Sequence, residues 1–226
     1  MTPTLKWGRF PSTWVLDKRM RKVLWKTYGA QGTAGLRVYL TLAHRLIEDD
    51  GIVRASYDEI AKAANLSRQS VADGLDVLED LSLIERSANG KGTYHFCDYD
   101  VERGWAQVPS RPLYTDGQFR PFQSWTMRKK AEFDALKLYL FIAAARDVNF
   151  NETFTKYDNI RKATGVPDAR ITTGLSLLTV SGLIHAIEID RDGFGASRSY
   201  RLIGLDTRRH SATTGRNGMM PVEDAF

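Results

Sequence analysis

Cysteine is almost absent: Cys97 is the only one among 226 residues, so an intramolecular disulfide is impossible and a thiolate zinc site lacks partners. Cys97 therefore reads as a structural thiol. No run of about 18 apolar residues occurs. The opening segment MTPTLKWGRF has no apolar stretch ending in small residues, which argues against a membrane span or a secretory leader and predicts a cytoplasmic protein. Histidine is also scarce. His44, His95, His185 and His210 stand without H-x-x-x-H or H-E-x-x-H spacing, so no metal pattern is present. There is no G-x-x-x-x-G-K-[ST] phosphate loop, and GFGAS (193–197) lacks the strand-to-helix context of a dinucleotide site. The D-x-D-x-G of IDRDGFG lacks the later acidic ligand of a calcium loop. No nucleophile–base pair is evident, so the expectation is a protein without enzymatic chemistry, cofactor or metal.

Hydrophobic residues make up 42% of the chain, enough for real cores, and the net charge of +5 with a pI near 9.3 suits a partner of opposite charge. Its placement says more than its total. Residues 1–35 hold seven Lys/Arg against one acid, whereas 36–99 hold seven against eleven. The segment 100–130 is again basic, with six against three. The excess positive charge lies before and between the expected cores.

An internal repeat organises the chain. YDEIAKAANLSRQSVADGLDVLEDLSLI (57–84) aligns without a gap on YDNIRKATGVPDARITTGLSLLTVSGLI (157–184), sharing Tyr, Asp, Ile, Lys, Ala, Gly, three Leu and the final Ile. Upstream, LRVYLTLA (36–43) faces LKLYLFIA (136–143) at the same offset of 100. One architecture has been used twice. In the first copy, Leu36, Tyr39, Leu40, Ala43 and Ile47 recur at helical spacing and predict a helix over roughly 33–48. GIVRA (51–55) is then a short strand. Ser56 with Glu59 forms a capping box for a helix starting at Tyr57, Asn65 breaks that helix, and Ser67 caps the next. That next helix carries Val71, Leu75 and Leu78 inward, matched by Ile171, Leu175 and Leu178. The two short helices make a helix-turn-helix. An apolar strand, a Gly-rich tip and an aromatic strand follow in each copy, the pattern of a hairpin.

This order, and the phrase SRQSVADGLDVLEDLSLIER in particular, resembles the winged-helix family over about 65 residues of each copy. FPSTW, LRVYLTLAHRL and YDEIAKAANLSRQSV together are similar to the N-terminal winged helix of plasmid-type replication initiators. The resemblance implies an α+β, mainly α, fold of two tandem winged-helix domains: residues 1–97 with a basic N-terminal helix, a linker over 98–125 and a second domain over 126–205; residues 206–226, without periodicity and rich in polar and small residues, read as a disordered tail. It also implies sequence-specific binding of double-stranded DNA by a transcriptional regulator or replication initiator.

In that family the second helix of the motif enters the major groove and the hairpin meets backbone or minor groove. Carried over, the first copy offers Ser67, Arg68, Gln69 and Ala72, with Lys91 at the hairpin tip. Arg can pair with guanine and Gln with adenine. The second copy offers Asp168, Ala169, Arg170, Thr172 and Thr173, with Arg191, Arg198 and Arg201 on its hairpin. Arg128, Lys129 and Lys130 precede its first helix and could meet phosphate. The first recognition helix also carries Asp73, Asp76, Glu79 and Asp80, so a protein partner docking on it is the rival reading. Lys18, Arg19, Arg21, Lys22 and Lys26, interleaved with Trp14, Val15, Leu16, Val23, Leu24 and Trp25, predict an amphipathic helix packed on the first domain, its cations either solvated or on phosphates. Pro109, Pro112, Gly117 and Pro121 predict an irregular connector. Trp14 and Trp125 read as core caps. A homodimer and a monomer using both domains on one site are both compatible with the sequence.

Overall fold

The computed structural model describes residues 2–88, 91–189 and 197–206. The chain is mixed α and β. Among the described residues it has seven α-helices and only small antiparallel sheets.

Two central helices organise everything else: α2 (Trp25–Ala43) and α5 (Lys130–Ala144). Each is buried without a break over more than three turns, from Gly32 to Ala43 and from Glu132 to Ala143. A helix buried on all sides has neighbours all round. One flank of each helix packs on its own half of the chain, and another packs on its counterpart.

After α2 come β2 (Ile52–Arg54), α3 (Tyr57–Ala64), α4 (Arg68–Asp80), β3 (Ile84–Arg86) and β4 (Thr93–Phe96). After α5 the same order follows: β8 (Glu152–Thr155), α6 (Tyr157–Thr164), α7 (Asp168–Val180), β9 (Ile184–Ile189) and β10 (Ser197–Leu202). The sheets run β2-β4-β3 and β8-β10-β9. Each central strand carries a buried tyrosine, Tyr94 or Tyr200.

Local signals explain the helix ends. Ser56 Oγ accepts the Glu59 N–H while the Glu59 carboxylate accepts the Ser56 N–H. This box holds the Glu59 carboxyl below its usual range. Asn65 ends α3 in the left-handed conformation at φ 53°. Where α2 crosses α4, a Cβ on Gly74 would lie 3.0 Å from the Ala34 carbonyl carbon and the Gly35 nitrogen. Glycine is what lets the two backbones approach this closely.

The N-terminal segment differs from the amphipathic helix that its composition predicts. It forms β1 (Trp7–Pro11), the single turn α1 (Thr13–Leu16) and a 3-10 turn over Arg19–Lys22. Lys18 sits at φ 73°, so no helix runs through it. Trp14 does cap a core, donating its Nε1–H to Tyr39 Oη at 2.9 Å. The predicted helix over 33–48 stops at Ala43, leaving Ile47 56% exposed.

Residues 98–125 are likewise not an irregular connector. They hold β5 (Trp105–Pro109), the short hairpin β6–β7 (Tyr114–Thr115 and Gln118–Phe119), and two 3-10 turns, with Phe119, Phe122 and Trp125 buried. The prolines interrupt regular backbone without removing the segment from the core.

β5 pairs antiparallel with β1, and the pairing is self-complementary. Trp7-Gly-Arg-Phe-Pro-Ser12 and Trp105-Ala-Gln-Val-Pro-Ser110 share Trp, Pro and Ser, and Trp7 pairs with Pro109 as Pro11 pairs with Trp105. Ser12 N–H donates to the Gly104 carbonyl at 2.7 Å, and Ser110 N–H to the Lys6 carbonyl at 2.9 Å. The Trp7 and Trp105 rings stack at 6.3 Å, with the Arg9 guanidinium 5.6 Å and 5.4 Å from their centroids. Equivalent residues thus meet across a local two-fold axis inside one chain.

Candidate nucleic-acid interface

Helix α4 starts with Ser67, Arg68 and Gln69, all exposed. The Ser67 hydroxyl accepts the Ser70 N–H at 3.0 Å, so it caps the helix. Arg68 pairs with Asp58 at 2.7 Å, with side chains 68% and 72% exposed. A pair so open to solvent contributes about 0–1 kcal/mol, and it leaves the guanidinium available to a stronger partner. Gln69 Nε2 donates to Asp73 Oδ1 at 2.7 Å.

The acids of α4 are not a bare anionic face. Arg86 on β3 reaches back to Asp76 at 2.7 Å and also pairs with Glu79, whose carboxyl it holds below the usual range. Tyr28 Oη donates to Asp80 Oδ2 at 2.6 Å. Arg86 and Tyr28 were not among the sequence candidates. The alternation of β3 behind α4 was the signal that could have found Arg86.

Helix α7 exposes Asp168, Ala169, Thr172 and Thr173. Thr172 Oγ1 lies 3.3 Å from Tyr157 Oη, while Thr173 faces outward. Arg170 is placed differently: its Nη1 lies 3.1 Å from Asp134 Oδ2 on α5, and the Asp134 side chain is only 4% exposed. Burial raises the Asp134 pKa, and Arg170 opposes that shift. Arg170 therefore braces α7 against α5. Arg170→Ala is expected to lower stability by about 2 kcal/mol, below the 3–5 kcal/mol of a fully buried broken pair because the arginine is partly solvated. Urea unfolding checks this, and Asp134→Asn together with Arg170→Ala should recover part of the loss.

The hairpin residues are divided. Lys91 is exposed beside the β3–β4 turn. Arg198 donates to Tyr157 Oη and stacks 5.3 Å from that ring, and Arg201 pairs with Glu152. Arg198 thus lies against the fold, while the Arg201 side chain stays 44% exposed. Arg191 lies outside the described residues, as do Arg208, Arg209 and the tail from 207 onward. Arg128, Lys129 and Lys130 are exposed. Just upstream, Trp125 Nε1 donates to Ser181 Oγ at the C-terminal end of α7, at 2.9 Å.

The chain contains two exposed helix heads, each preceded by a short helix and followed by a hairpin, with Arg68 and Gln69 at one and Thr172 and Thr173 at the other. Among the described residues no group of three or more His, Cys, Asp or Glu side chains could hold a metal, and no helix is long and apolar enough to cross a membrane. Neither protein-family models nor curated protein sequences match the chain.

Proposed function

We propose that this chain binds double-stranded DNA in a sequence-specific way through two winged-helix units, as a transcriptional regulator or replication initiator. The observation that carries the reading is the pair of exposed helix heads, each the second helix of a helix-turn-helix with an antiparallel hairpin behind it. Such a helix head presents base-reading side chains to a major groove, and the hairpin reaches the flanking backbone. Arg68 and Gln69 supply bidentate donors for guanine and adenine, and Thr173 can meet a thymine methyl or a phosphate. The local two-fold pairing of β1 with β5 supports a monomer that offers two half-site readers without a second copy.

A protein-docking role for α4 is the second reading, favoured by its four acids. Against it stands Arg86, whose guanidinium already pairs with Asp76 and Glu79 within the fold.

Selection of bound duplexes from a random pool tests the proposal. Arg68→Ala is expected to weaken binding to the recovered site by about 1–3 kcal/mol and to relax choice at one base position, while the melting temperature stays close to that of the parent. An unenriched pool, or a motif indifferent to Arg68, would remove the reading.

A further inference from the structure

The arm that precedes each central helix packs against the opposite half. In the first half, the α3–α4 turn is met by the second half's arm: Asn65 Nδ2 donates to the Phe122 carbonyl at 3.1 Å. In the second half, the turn between α6 and α7 is met by the first half's arm. A Cβ on Gly165 would lie 3.5 Å from Arg21 Cα, Cβ and Cγ. The buried Lys137 ammonium donates to the Val23 carbonyl at 2.8 Å, and Trp25 packs edge-on to Phe133 at 5.7 Å. Arg19 ties the same segment to Asp17 and Asp98, each at 2.7 Å.

This pinned arm carries Lys18, Arg21 and Lys22, all exposed and without an ion pair among the described residues. The nearby acids Asp17 and Asp98 are taken by Arg19. On α6, Arg161 and Lys162 are matched by Asp158, with Asp168 also 3.9 Å from Arg161. The unmatched charge at this turn therefore comes from the arm. The arm at the other turn carries Arg120, which donates to the Pro112 carbonyl.

We infer that Lys18, Arg21 and Lys22 form a phosphate-binding edge for the second half, so that α7 and the first half's arm grip one stretch of duplex backbone. The inference rests on the DNA reading above. Three like charges held close together on a fixed segment repel one another, and a phosphate backbone relieves that repulsion while releasing its counterions. The arrangement adds an electrostatic anchor to the second half's reader, whereas the first half relies on Arg68 and Gln69.

The test uses the full chain and a duplex carrying the selected site. Lys18→Gln/Arg21→Gln/Lys22→Gln is compared with the parent for affinity across a salt series and for hydroxyl-radical footprint. The slope of log K against log salt is expected to flatten by about 2–3, at about 0.9 per phosphate. Affinity should fall alike for all sequences, and protection should weaken only at the end of the site bound by the second half. The charge-preserving Lys18→Arg/Lys22→Arg variant should keep the parent slope. An unchanged slope in a variant whose parent binds with clear salt dependence overturns the arm assignment and leaves the DNA reading standing. A parent without salt-dependent duplex binding overturns both.

Discussion

Arg37→Ala is expected to destabilise the chain by about 3–5 kcal/mol, the loss typical of leaving one member of a buried ion pair alone. Arg37 is fully buried between the halves. Its guanidinium lies 4.8 Å from the Phe122 centroid and 5.7 Å from that of Trp125, and its Nη2 is 3.9 Å from Glu132 Oε2. Burial lowers its pKa to about 10, so it remains charged at neutral pH. Glu132 accepts the Thr126 N–H at 2.8 Å and the Met127 N–H as well, fixing the entry to α5. Alanine removes the counter-charge of Glu132 and opens a cavity against two aromatic rings. The measurement is the urea midpoint, read with Arg37→Met/Glu132→Gln alongside. The double replacement removes both charges and fills much of the space, so it should recover most of the loss. A single-variant loss below about 1 kcal/mol would mean that Arg37 does not seal the junction.

Gly8→Ala is the second large effect expected, about 3 kcal/mol or more, at the upper end of overpacking costs because nothing nearby can rotate away. A Cβ at this position would stand 2.2 Å from the Ala43 carbonyl oxygen and 2.7 Å from both the Ala43 carbonyl carbon and His44 Cα. All three are backbone atoms at the end of α2. To admit a methyl group, β1 must retreat and loosen its pairing with Val108. Near-ultraviolet circular dichroism should then lose the signal of the stacked Trp7 and Trp105, and the unfolding midpoint should drop. A variant that keeps both would show that β1 tolerates displacement and that the two-fold pairing is not fixed by this contact.

The two kinds of residue involved also show what sequence reasoning could reach. Signals that act within a few residues were legible. The Ser56–Glu59 box, the break at Asn65 and the cap at Ser67 all satisfy or terminate local backbone hydrogen bonds, so residue type and spacing suffice. The buried positions Leu36, Tyr39, Leu40 and Ala43, and their counterparts Leu136, Tyr139, Leu140 and Ala143, followed from helical spacing and the repeat. Ile47 did not, because the helix ends before reaching it.

Among the proposed DNA contacts, Arg68 and Gln69 could be placed at a helix head from the cap alone. Arg170 could not be separated from them, since its capture by Asp134 depends on how α7 crosses α5. Arg198 lies on the hairpin as expected, but the Tyr157 ring that holds it comes from α6.

By itself, then, the sequence determined the two sets of helices and hairpins, the caps of the first set and most of the inward faces, because period and capping are properties of neighbouring residues. Tertiary structure alone decided how the halves meet. The pairing of β1 with β5, the burial of Arg37 and Lys137, and the exchange of arms between turns join residues roughly a hundred positions apart. They depend on close backbone approaches and shared desolvation that no local pattern encodes, and only folding brings Arg21 to the turn before α7.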